Sequence, residues 1–199
     1  MSLLYARSAG EPRTYETFGN THLYGLLIFE LLTVPAVVVI LHMRGWRLKD
    51  FPCVISKPAT ILGMLAYGAA FAMGWIFSVA LWQLFFSGNP AMEGAAYSPA
   101  HPPSLVAVYL VSIVNPVFEE AIVCGYVLPA LAARFGQTVA INVSVVIRGS
   151  YHLYQGIANL PFHLGYGLLQ AYLYVRFRNL WPLIVNHALA DFVPLAFFL

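Results

Sequence analysis

Glu119 and Glu120 stand side by side in the apolar run FEEAIVCGYVLPAL, residues 118–131. One ionisable group in a bilayer costs at least ~2.5–3.5 kcal/mol before partners are counted, so an adjacent pair asks for a reason. Later apolar stretches hold Arg148 with His152, and His187 with Asp191, each pair four residues apart. At that spacing the members of a pair share one helix face. Neighbouring residues on a helix are ~100° apart, so one glutamate can face a cavity while the other braces an adjoining helix. Two Glu, two His, one Arg and one Asp from three helices form a set able to activate water. A carboxylate can take the proton, and an imidazole can share it or donate to developing negative charge. A single carboxylate would suffice for structure at lower cost, so Glu119/Glu120, His152 and His187 are read as functional.

Other polar residues have plainer readings. His163 is expected to be a hydrogen-bonded packing residue. Glu30 is expected to be a structural carboxylate bonded across helices, or one near an interface. Tyr151, Tyr154 and Gln155 are read as packing, and Gly165 and Gly167 as points of close helix approach. His22, His42 and His101 fall at the ends of apolar runs. There is no H-E-x-x-H, no G-x-S-x-G, and no Walker or Rossmann glycine motif. Cys53 and Cys124 are the only cysteines, with neither metal-ligand spacing nor the makings of a disulfide framework. A net charge of +2 with no Lys/Arg-rich stretch argues against nucleic acid as a partner.

The elements that position these residues are membrane helices. Of 199 residues 60% are hydrophobic and 9% charged, at a mean hydropathy of +0.75, too few charges to coat a water-exposed surface. The expected fold is all-α, a polytopic transmembrane helix bundle of about six spans with a polar catalytic cavity inside. It is read as one integral membrane domain, 1–199, whose motif-bearing core is about 104–199. Stretches of about 20 apolar residues suffice to cross the bilayer. They run near 22–43, 60–86, 104–133, 138–155, 162–175 and 180–199. The third is long for one crossing, and its Asn115-Pro116 step is expected to kink or divide it just before Glu119. Arg44, Arg47, Lys49, Lys57, Arg134, Arg176 and Arg178 then fall in loops on one side, which the positive-inside rule makes cytoplasmic. Both termini face out, with Arg7 and Arg13 mildly opposed. No internal repeat or cleavable signal peptide is apparent.

The motifs Glu119-Glu120, Arg148-Gly-Ser-Tyr-His152 and His187-Ala-Leu-Ala-Asp191 together resemble the CPBP family. These are the CAAX prenyl endopeptidase and bacteriocin-processing (Abi) intramembrane proteases. The segment GYGLLQAYLYVRFRNLWPLIVNHALADF is similar to the family's last two spans, and the resemblance covers about 115–192. It implies a glutamate-based hydrolase in which Glu119 activates water as general base with help from His152. It further implies that His187 and the position of Asp191 hold the oxyanion. Two departures stand out. Where the family pattern has Arg one turn after the second Glu, this chain has Cys124; where it has Phe four residues before the His, this chain has Arg148. Arg148 is therefore expected to supply the missing cation to Glu120, because an unpaired buried guanidinium and an unpaired buried carboxylate are both expensive. Asp191 donates to an oxyanion only if protonated, and orienting His187 is the other role open to it.

The resulting expectation is an intramembrane endopeptidase in the cytoplasmic membrane of a prokaryote, acting on a membrane-associated peptide or protein in the lipid bilayer. It needs no cofactor. A zinc variant stays open, since Glu119, His152, His187 and Asp191 form a four-ligand N/O set. Two other classes remain: a non-catalytic membrane scaffold or immunity protein, for which loss of the motif Arg would speak, and a proton-coupled transporter. The transporter would be expected to carry paired interrupted helices, and only one Pro-broken span is visible.

Overall fold

The computed structural model describes residues 19–81, 83, 101–153, 159–197 and 199. The end of the second apolar run at Phe86, Tyr154, Gln155 and the segment holding Arg7 and Arg13 lie outside them. Six helical rods make up the described fold. They are α1 (Asn20–Met43), α2 (Lys57–Leu81), α3 (Leu105–Phe135), α4 (Gln137–Tyr151), α5 (Leu160–Phe177) and α6 (Trp181–Ala196). No strand occurs among the described residues.

α1 shows how apolar composition becomes orientation. Its buried residues are Leu23, Leu27 and Glu30, a single stripe at one-turn intervals. The rest of its surface is apolar yet exposed, with Phe29, Leu31, Leu32, Val39 and Ile40 all more than half open. Such a surface suits hydrocarbon, where only backbone groups satisfied within the helix are tolerated. α1 and α3 are long and apolar enough to cross a membrane by length and composition.

α3 begins at Ser104, whose hydroxyl accepts the Ala107 N–H at 3.1 Å. The Asn20 side chain accepts the Ser104 N–H at 2.6 Å, which ties the start of α1 to the start of α3. The helix then runs through Pro116 undivided. Its irregularity comes later, as a π-helical stretch, Ala121–Val127, directly after the two glutamates. Wider turns of this kind often mark functional positions inside helices. α3 ends at Gly136, whose φ of +84° only glycine adopts without strain, and α4 returns at once beside it.

α6 is the hub. It packs on both α2 and α3, while α4 packs on α5 and on the second half of α3, and α1 packs on α3. One core joins Ala66, Cys124, Leu128, Ala140, Ala171, Tyr174 and Leu183; a second joins Leu23, Leu27, Ala107, Val108, Val111 and Leu195. At one end the loop after α1 is stitched to the loop before α6. Asn179 accepts from the Val54 N–H at 2.8 Å and donates to the Val54 carbonyl at 3.0 Å. Trp181 Nε1 donates to Thr60 Oγ1 at 2.8 Å. Arg44 and Arg178 line one recess there, so two of the basic loops meet at the same end of the bundle.

Glycine marks the close approaches, at one of the two positions the sequence suggested. A Cβ on Gly165 meets nothing within 4 Å, whereas one on Gly167 lies 3.1 Å from Arg148 Cδ. α2 comes close to α6 at Gly63, where a Cβ would sit 2.6 Å from the Pro182 carbonyl oxygen. Gly63→Ala is expected to lower the thermal unfolding midpoint in detergent, at a cost of about 1–3 kcal/mol for overpacking. Gly68→Ala, where nothing lies within 4 Å, is expected to leave it unchanged or slightly raised. Equal midpoints for the two variants would contradict the packing assigned to α2 and α6.

Candidate active site

Glu120, fully buried, is the most heavily partnered carboxylate in the described chain. Arg148 Nη2 donates to its Oε2 at 2.9 Å, so the cation expected from α4 is in place. Its Oε1 lies 2.7 Å from His187 Nδ1 and accepts from Gln170 Nε2 at 3.1 Å. The Cys124 thiol, standing where the family pattern has Arg, is in contact with both Glu120 and Arg148. Gln170 is itself held, donating to the Leu183 carbonyl at 3.2 Å and accepting from Asn186 Nδ2 at 3.0 Å. Three helices are thereby locked to α3 through one side chain, because a buried charge is tolerated only when paired and hydrogen-bonded.

Glu119 points elsewhere, as the ~100° offset between neighbours requires. It is 15% exposed, and it lines a cavity of about 810 Å3 bounded by α1 to α6. The Tyr151 hydroxyl donates to its Oε2 at 2.7 Å. Around the same oxygen stand His152 Nε2 at 3.9 Å, His187 Nε2 at 3.9 Å and Arg148 Nη1 at 3.7 Å. Both imidazoles are thus too far for a direct hydrogen bond and near enough to share a small molecule with the carboxylate.

Asp191 lies beside His187, its Oδ1 3.6 Å from Nε2, and its Oδ2 accepts from Asn115 Nδ2 at 3.0 Å. Since Nδ1 of His187 is engaged by Glu120, the ring is oriented mainly by Glu120, with Nε2 turned toward Glu119 and Asp191. His152 stacks flat on His163, with ring centroids 4.2 Å apart and planes 7° apart.

All six residues singled out from the motifs are brought into one cluster: Glu119, Glu120, Arg148, His152, His187 and Asp191. Three partners were missed. Tyr151, read as packing, bonds Glu119. Asn115, read only as part of a helix-breaking step, bonds Asp191; it sits four residues before Glu119, a spacing that places both on one face of α3. Gln170 carried no sequence signal beyond being an amide in an apolar helix. Glu30, expected to bond across helices or to lie near an interface, lines the cavity, with its Oε2 buried and unbonded. Among the described residues no three of His, Cys, Asp and Glu converge as a metal ion would need.

Helices with apolar outer faces thus surround a buried glutamate–histidine–arginine cluster, and two of them are long and apolar enough to cross a membrane. Residues 101–193 match the family described as Rce1-like, type II CAAX prenyl endopeptidase. That segment contains every motif residue, and the match supports the resemblance to the CPBP family, whose Rce1-like members are integral membrane CAAX-type proteases. No curated protein and no solved structure matches the chain.

The clamp makes a direct prediction. Arg148→Ala leaves Glu120 buried without its cation and is expected to cost about 3–5 kcal/mol, read as a lowered unfolding midpoint. Cys124→Arg added to Arg148→Ala returns a guanidinium one turn from Glu120 and should recover part of the loss. An unchanged midpoint in Arg148→Ala would show that the ion pair does not hold the fold.

Proposed function

We propose that the protein is a multi-pass membrane endopeptidase, one integral domain of six spans, that hydrolyses a peptide bond with a water activated by Glu119. The observation that carries this reading is the position of Glu119 at the cavity wall, with two imidazole Nε2 atoms each 3.9 Å from one carboxylate oxygen. Tyr151 donates to Oε2 at 2.7 Å, which holds the carboxylate in place to take the proton of the attacking water. His152 assists by sharing that proton and delivering it to the leaving amine.

His187 holds the oxyanion through Nε2–H. Because Nδ1 donates to Glu120, donation from both nitrogens requires the imidazolium, and Glu120 is the anion that stabilises it. Asp191 then helps orient the ring, and the Asn115 amide, held against Asp191, supplies an N–H that a carboxylate lacks. The substrate is a membrane-associated peptide or protein in the lipid bilayer. The reaction as written needs no metal or cofactor, and purified active protein is expected to carry far less than one zinc per chain by elemental analysis.

Terminal-peptide proteomics on host cells expressing the wild type or Glu119→Gln at matched levels tests the reading. New protein termini that appear with the wild type and vanish with Glu119→Gln are expected. Tyr151→Phe removes one hydrogen bond to a charged group and should reduce their yield by roughly tenfold or more. The absence of any Glu119-dependent termini, with both proteins folded and abundant, would turn the assignment toward a scaffold or transporter.

A further inference from the structure

The cavity in front of Glu119 reaches α1, where it holds a carboxyl that the proposed reaction does not use. Glu30 is 1% exposed, lines the cavity, and has its Oε2 buried with no hydrogen-bond partner. It lies within electrostatic reach of Glu119, Asp191 and His187. An acceptor buried without a donor costs about 1–3 kcal/mol, more when charged. Leucine would continue the buried stripe of Leu23 and Leu27 without that cost. A ligand that brings a donor removes it.

The rest of the wall says what kind of donor. Glu30, Glu119 and Asp191 are three carboxyls on one cavity; the His187 imidazolium, beside Glu119 and Asp191, answers one of them, and no Lys or Arg is among the described residues that line it. Arg148, the nearest guanidinium, is committed to Glu120 at 2.9 Å. Phe29, Tyr67, Phe71 and Phe162 supply aromatic surface in the same cavity, and ring faces attract cations. An anionic ligand is opposed by this wall. A neutral hydroxyl would satisfy one oxygen of Glu30 and bring no charge to it. An ammonium or guanidinium on a flexible apolar stem meets every demand, since the stem lies along the aromatic wall while the head reaches the carboxyl.

We propose that Glu30 forms a subsite for a Lys or Arg side chain carried on the apolar peptide segment that is cleaved at Glu119. The proposal rests on the protease reading and adds to it the charge of the substrate. It makes α1, which lies outside the matched segment, a determinant of specificity.

Binding measured without turnover tests it. The host is the Glu119→Gln chain in nanodiscs, and the probes are three labelled leucine–alanine peptides differing at one central position, Lys, norleucine or Glu. Affinities are read by fluorescence anisotropy and corrected for partition into protein-free nanodiscs. The lysine peptide is expected to bind about tenfold tighter than the norleucine peptide, and the glutamate peptide weakest. Adding Glu30→Gln should abolish the lysine advantage, and Glu30→Lys should shift preference to the glutamate peptide. Adding Asp191→Asn instead should leave the lysine advantage in place. Equal affinities, no binding of the lysine peptide, or an advantage that survives Glu30→Gln overturns the subsite. The peptide comparison alone decides the matter if a Glu30 variant fails to fold. Loss of the lysine advantage alongside Glu119-dependent termini removes the subsite and leaves the protease; the advantage without such termini removes the protease and leaves a cation-binding cavity.

Discussion

A carboxylate that cannot reach water must be paid for in place, and Glu120 is where this protein does it. Arg148 meets one oxygen at 2.9 Å; His187 at 2.7 Å and Gln170 at 3.1 Å meet the other. These partners come from α4, α6 and α5, so satisfying a single side chain on α3 fixes the relative positions of four helices. Each alternative arrangement strands a guanidinium or a carboxylate in a low-dielectric interior, a penalty of several kcal/mol. The clamp therefore acts through specificity of assembly as much as through its net energy.

The chemistry inherits its geometry from that clamp. Fixing Arg148 also fixes the residues one turn along α4, so Tyr151 reaches Glu119 and His152 stands beside it. Fixing His187 by Nδ1 leaves Nε2 as the atom that faces the cavity, and Asp191, one turn on, flanks it. Glu119 needs no clamp of its own: its adjacency to Glu120 turns it about 100° around α3 and toward the cavity. The division between a bracing and a reacting glutamate follows from their being neighbours. Cys124 illustrates the same economy, because the cation that the family pattern places on α3 arrives from α4 to the same carboxylate.

Much of this was legible before any coordinates. The pairs Arg148/His152 and His187/Asp191 announce themselves by one-turn spacing inside apolar runs, and the missing cation at Cys124 points to Arg148. The helical class followed from composition, although among the described residues α1 and α3 are the helices long and apolar enough to span. What was hidden depends on tertiary packing. Tyr151 could not be told from a packing aromatic until α4 lay against α3. The destination of Glu30 depended on which face α1 turns to α3, and a stripe of Leu23, Leu27 and Glu30 in a uniformly apolar helix gives no periodic signal. Pro116 was expected to kink or divide its span. The helix continues through it, and its irregularity falls instead in the π-helical turn after the glutamates. Asn115 was masked by its proline neighbour, though its distance of one turn from Glu119 carried the information.

Glu120 acts as an ionised brace within the bundle, held by Arg148 and His187. Infrared difference spectroscopy of the reconstituted protein, wild type against Glu120→Gln, tests this most directly. The account predicts that the wild type contributes carboxylate stretching bands, lost in Glu120→Gln, with no protonated carboxyl C=O band assigned to this residue. A protonated carboxyl band that disappears in Glu120→Gln would contradict the ion pair and the site geometry built on it.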